Sequence, residues 1–207
     1  MICSIRLKMI AEDLAKKVLI VGPSYLPPLG GIGQTVYNYD RYIYGGKSRI
    51  VVNSRKGLWR NALQLVCSLC TLAYRLLTDR DIRIVHVHTA SRRSFRRSVL
   101  YTGLARLLGR KTVMHVHGGN FRKYYARDTR FVRRHLLRCD TVVALSEVWR
   151  EFMTDTVGHP RGGVGDNLVP EPAGVRAREA LSAPVHALFL GLFVQLKGVF
   201  DLVEAVG

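Results

Sequence analysis

The chain reads as an α/β protein: a Rossmann-like parallel sheet with helices on both faces, followed by a truncated second Rossmann-like domain. Two observations predict this. Short apolar or β-branched runs recur at 17–22, 49–53, 82–88, 112–117, 141–145 and 185–191, each separated from the next by a stretch of helical periodicity. Such alternation builds a parallel sheet under crossover helices. Some of the runs are apolar almost throughout, as in Val18-Leu19-Ile20-Val21, which suits strands covered on both sides.

Taken in order, residues 1–16 form an N-terminal extension whose Arg6, Lys8, Glu12 and Asp13 break up any signal-type apolar region. A strand at 17–22 leads through a long Pro- and Gly-bearing loop to a helix at 33–43. After the strand at 49–53 comes a helix at 58–78, whose apolar run is interrupted by Arg60, Asn61, Gln64 and Arg75 and is too short to cross a bilayer. Strands at 82–88, 112–117 and 141–145 are each followed by a helix, at 94–108, 126–137 and 147–155. Glycine and proline crowd between 158 and 184, which predicts loop and linker. A strand at 185–191 and a helix starting at Lys197 then reopen the pattern. The expected organisation is an extension (1–16), a first Rossmann-like domain (17–170), a linker (171–184) and the beginning of a second domain (185–207).

Against 15 Asp and Glu stand 32 Lys and Arg, a formal charge of +17, so an anionic partner is called for: phosphate-bearing substrates, an acidic membrane surface or nucleic acid. Nucleic acid has only charge in its favour, since no aromatic RNP pattern, zinc spacing or helix-turn-helix accompanies it, and no specific nucleic acid is expected. The four cysteines, Cys3, Cys67, Cys70 and Cys139, make no disulfide framework in a chain of this length. Cys67 and Cys70 form a C-x-x-C inside an apolar helical run, which predicts core packing on a shared face rather than a zinc site.

Ligands of open α/β sheets bind beyond the carboxyl ends of the strands. The loop after the first strand carries Gly30-Gly31-Ile32-Gly33 at a helix start, where backbone amides can hold a phosphate. Gly31-x-Gly33 superficially matches a dinucleotide fingerprint, but the glycines lie well past the strand and the second strand ends in Asn53 where an acidic residue would hold a ribose. A nicotinamide enzyme is disfavoured. The third strand ends in His86-Val87-His88 and the fourth in His115-Val116-His117, before Gly118-Gly119. No carboxylate lies near either pair in sequence, so metal is not expected; His86 and His115 read as core histidines and His117 as the functional one. Ser146 sits where it would cap the helix after the fifth strand.

In order and spacing these segments resemble the retaining, nucleotide-sugar-dependent glycosyltransferases of family 4, with the GT-B fold, over residues 17–207. The resemblance rests on Pro27-Pro28-Leu29-Gly30-Gly31-Ile32-Gly33, on 84–88 (I-V-H-V-H), on 115–121 (H-V-H-G-G-N-F), on Val142-Val143-Ala144-Leu145-Ser146-Glu147, on Asn167-Leu168-Val169-Pro170, and on the Leu-Phe-Leu-Gly run with Lys197-Gly198. It implies an N-terminal acceptor-side domain plus the start of a donor domain. Gly30, Gly31, Gly33 and Lys197 would bind the donor, and His117 would be the catalytic residue at the transferred sugar. His88, Ser146 and Asn167 are secondary candidates. The substrates implied are a nucleotide-sugar donor and a polysaccharide or lipid-linked acceptor, with no metal or other cofactor. Where the family commonly has an arginine after the strand's glycine, this chain has Leu192-Phe193. The glutamates of the family's E-x7-E motif would fall beyond Gly207, so the fragment is expected to be inactive alone. The alternative is a non-catalytic acceptor- or membrane-binding module that pairs with a separate donor domain. Either would be cytoplasmic, with a basic surface suited to the inner face of the membrane.

Overall fold

Strands with no polar face are stable only between two helical layers, and the apolar runs lie in that setting. The computed structural model describes residues 12–28, 30–46, 49–54, 58–168, 189–190, 193, 195 and 198–206. Strands β1 (Val18–Pro23), β2 (Arg49–Ser54), β3 (Ile84–Thr89), β4 (Lys111–Val116), β5 (Thr141–Ala144) and β6 (Gly162–Val164) form one sheet in the order β2-β1-β3-β4-β5-β6. Every pairing is parallel. The chain steps from β1 outward to β2 and then crosses back to place β3 on the other side of β1. That reversal makes the β1/β3 junction the switch point of the sheet, where connections diverge and leave a crevice.

The helices are α1 (Glu12–Ala15), α2 (Gly30–Asn38), α3 (Leu58–Thr78), α4 (Arg93–Leu107), α5 (Phe121–Arg127), α6 (Thr129–Leu136), α7 (Glu147–Glu151) and α8 (Val199–Val206), of which α2 to α7 connect successive strands. One sheet face carries Leu19, Val21, Val51, Val85 and Val87 against Leu72 and Leu76 of α3 and Tyr101 and Ala105 of α4. The same face continues through Met114, Val116, Val142 and Ala144 beneath α4, α5 and α6. The opposite face begins with Ile20, packed with Val36 of α2 and Ala15 of α1.

Several expected boundaries move. The helix expected at 33–43 starts at Gly30 and finishes as a wider π-helical turn, Tyr39–Ile43; α7 likewise runs into a π turn, Phe152–Thr156. The helix expected at 126–137 is two, because α5 begins five residues earlier to bury Phe121, Tyr124 and Tyr125. Within the expected extension, α1 buries Ala15. The Gly-rich stretch from 158, expected as loop and linker, contains β6, and glycines in and just after that strand serve close packing. A Cβ on Gly162 would lie 2.9 Å from Thr154 Cγ2, and one on Gly165 would lie 2.7 Å from Val143 Cγ1.

Cys67 and Cys70 are a further correction: both are exposed. Helix α3 has two apolar stripes, and the one that enters the core carries Leu65, Leu69, Leu72 and Leu76. The cysteines share the outer stripe with Leu63, Val66, Tyr74 and Leu77, each more than 59% exposed.

The chain divides into two compact units, Met1–Glu171 and Pro172–Gly207. In the second, the strand expected at 185–191 lies outside the described residues except for Phe189 and Leu190, which have no strand pairing. The helix expected from Lys197 is α8, with Val199 buried. Among the described residues no helix is long and apolar enough to cross a membrane.

Candidate functional site at the strand ends

At the switch point a cavity of about 310 Å³ is lined by Pro23 at the end of β1, Gly30, Gly31 and Ile32 of α2, Asn53 of β2, His88 of β3, and Ser94 of α4. The topology dictates this gathering. Three neighbouring strands end together, and the helix that follows β1 starts beside them with free backbone amides. Gly30 has φ +69°, and a side chain on Gly30 or Gly31 would meet nothing within 4 Å, so both open onto the space. Gly33 has a different duty. A Cβ there would lie 2.5 Å from the Ser24 carbonyl oxygen, so this glycine lets the preceding loop lie against its own helix.

The histidines form one cluster. In a parallel pair, residues in register share a face, and His86 pairs with Val113 while His88 pairs with His115. All four side chains of the two H-x-H segments therefore point to one side of the sheet. Ring centroids lie 4.4 Å apart for His86 and His88, 5.0 Å for His88 and His115, and 4.2 Å for His115 and His117. Tyr39, from the π turn after α2, packs edge-on against His86, His88 and His115. His115 is bonded through Nε2 to the Gly165 carbonyl at 3.1 Å. His88 Nδ1 and His117 Nε2 are 2.9 Å apart.

Burial keeps the cluster neutral. It lowers His86 to about 3, with His115 adding to the effect. His117 is lowered to about 2 by burial and then by its histidine neighbours. Burial also brings His115 down to about 4, opposed by the Gly165 hydrogen bond, and it holds His88 well below the ordinary histidine value. The shared bond fixes the tautomers in concert. If His88 donates from Nδ1, its Nε2 is a bare acceptor; if it accepts there, Nε2 carries the proton. That Nε2 is buried without a partner among the described residues, and His88 borders the cavity. His86, His88 and His115 also bring one ring nitrogen each within 4.8 Å of one another, so this trio could hold a soft or borderline cation.

Residues 14–164 match the family model described as Glycosyltransferase Family 4. The chain belongs to that family. A search of curated proteins finds no significant match. The family 4 match spans all six strands and every residue lining the cavity.

Of the residues singled out in sequence, the family 4 sheet brings Gly30, Gly31 and His88 to one cavity and sets His117 directly behind His88. Asn167 lies against α2, where its Oδ1 accepts from Thr35 Oγ1 at 2.9 Å; the next residue's carbonyl accepts from the Asn38 amide. Ser146 occupies the N-cap position of α7, but its side chain makes no capping bond, contrary to expectation. Its carbonyl instead accepts from the Trp149 and Arg150 amides. Lys197 lies outside the described residues. Sequence reasoning missed Pro23, Ile32 and Ser94 as lining residues, and it read each H-x-H pair alone. The signal was present: consecutive parallel strands with the same alternation place their histidines side by side.

Proposed function

We propose that this protein is the acceptor-side domain of a glycosyltransferase that moves a sugar from a nucleotide-diphosphate carrier to a polysaccharide or lipid-linked acceptor. The observation carrying this reading is the cavity where the open amide end of α2 meets an unpaired, neutral imidazole nitrogen of His88. In this reading the Gly30–Gly31 amides face the charge that develops on the leaving diphosphate, where a helix N-terminus is electrostatically matched. His88 hydrogen-bonds a hydroxyl of the transferred sugar, and His117 sets its tautomer and orientation. The nucleotide base is held by the donor domain, so this chain recognises the sugar and phosphates rather than the base. The reaction needs no resident metal, and chelators leave donor binding unchanged.

The test is a titration followed by amide NMR with uridine and guanosine diphosphates and their hexose conjugates. Expected shifts centre on Gly30, Gly31, Ile32 and Asn53, are similar for the two bases, and weaken several-fold in His88→Ala. Shifts centred elsewhere, or none at millimolar ligand, would overturn the reading.

A further inference from the structure

A second cavity, of about 420 Å³, is lined by Arg92, Arg93, Arg96, Tyr124, Arg127 and Asp128. Three of these arginines surround the first turn of α4, which contains no acidic residue. Cations at that end oppose the helix dipole, and positive charge there costs stability where an acidic residue would add it. Arg92 sits at the N-cap with φ 58° and ψ −120°, the one non-glycine residue with positive φ among the described residues, and offers no capping side chain. Strain and mismatched charge coincide at one point of the fold, a pattern expected where function overrides local stability.

The remaining lining is equally directed. Among the described residues that line it, Asp128 is the single carboxylate and lies 3.6 Å from Arg96, leaving three of the four guanidinium charges without an acidic partner among them. Tyr124 is 93% buried, and its hydroxyl makes no well-aligned hydrogen bond among the described residues, although Arg96 lies beside it. Its ring is fixed by Phe95 and Phe121, at 5.8 and 6.0 Å, and the Arg96 guanidinium rests over Phe131 at 5.8 Å. Planar guanidinium groups with a hydroxyl donor between them match the oxygens of a phosphoryl group.

We infer that this cavity binds a phosphate or diphosphate ester carried by the acceptor. The placement supports that role. Arg93 lines this cavity and the next residue, Ser94, lines the switch-point cavity, so a phosphoryl group held by the arginines sets the hydroxyl it carries towards the transferred sugar. The acceptor role rests on the glycosyl-transfer reading above; the anion site itself does not.

Isothermal titration with pyrophosphate, inorganic phosphate, farnesyl diphosphate and a hexose 1-phosphate tests the inference. Saturable binding is expected, tighter for pyrophosphate than for phosphate, and at least tenfold weaker in Arg96→Gln and Arg127→Gln. Tyr124→Phe weakens it several-fold with unchanged thermal unfolding. Arg130→Gln and Arg134→Gln, on α6 outside the cavity, bind as wild type. Farnesyl diphosphate binding above pyrophosphate indicates a lipid-linked source, and hexose 1-phosphate above pyrophosphate a soluble one. Absence of saturable binding at millimolar ligand would overturn the inference. So would equal weakening by the α6 variants, or attachment only to phosphatidylglycerol vesicles in proportion to their charge. Pyrophosphate binding that persists when sugar nucleotides leave Gly30–Asn53 unperturbed would keep this site and refute the transfer reading.

Discussion

At the scale of single residues, Arg92 separates stability from function. Its positive φ is a conformation glycine adopts freely. Relief of strain of about 1–3 kcal/mol, less the added unfolded-state freedom, makes Arg92→Gly more stable by about 1 kcal/mol. Urea unfolding should show that gain while pyrophosphate affinity falls. A stability loss would mean that the arginine side chain supports the fold. Gly33 behaves oppositely: a methyl group 2.5 Å from the Ser24 carbonyl must displace backbone, so Gly33→Ala should cost about 2 kcal/mol in the same measurement. The cysteines give a third check. Native protein should lose Cys67 and Cys70 to a maleimide within minutes, while Cys139, buried and pushed up to about 12, reacts only on unfolding. Protection of the first two would place a covering partner over the outer stripe of α3.

At the scale of elements, the histidine ladder ties β3 and β4 to solution pH. The unfolded chain protonates histidines near pH 6.5, whereas in the folded cluster His115 stays neutral until about pH 4, His86 and His117 until lower still, and burial holds His88 well below its ordinary value. Between those values the unfolded state binds more protons. Stability is therefore complete above pH 6.5 and falls as the pH drops, by up to about 1.4 kcal/mol per pH unit for each histidine kept neutral. Circular dichroism should show cooperative acid unfolding between pH 6 and 4, and a native spectrum held to pH 4 would contradict the burial account.

Strands β1 to β5 are readable because buried parallel strands must be apolar along most of their length, and α3 is readable end to end from its periodicity. Its buried face is not. Two apolar stripes of equal period leave the choice to whichever neighbour the tertiary fold supplies, so Cys67 and Cys70 were assigned inward. Helix α5 was lost because Gly118-Gly119-Asn120 signals a loop and its aromatic residues gain their meaning only against Phe95. The Gly-rich stretch after 158 reads as loop and linker, yet Gly162 and Gly165 are small so that backbone can close over Thr154, Val143 and His115. At the site, Gly30, Gly31 and His88 could be picked from loops at strand ends. The union of four histidines and of four arginines required the strand order and the start of α5.

At the scale of the whole molecule, a Glycosyltransferase Family 4 sheet presents two neighbouring cavities across the first turn of α4. One is lined by open helix amides and a neutral imidazole, the other by guanidinium groups. Their juxtaposition fits a reaction in which an anionic acceptor meets a sugar leaving a diphosphate. The formal charge of +17 adds a general attraction for anions, which is weakened by salt, while the cavity contacts are screened less. A crystal structure with a hexose-bearing nucleotide diphosphate is the most direct measurement. The account predicts hexose and phosphate density between Gly31 and His88, with the base outside the switch-point cavity. A base enclosed there, or a sugar bound away from β1 and β3, would contradict it.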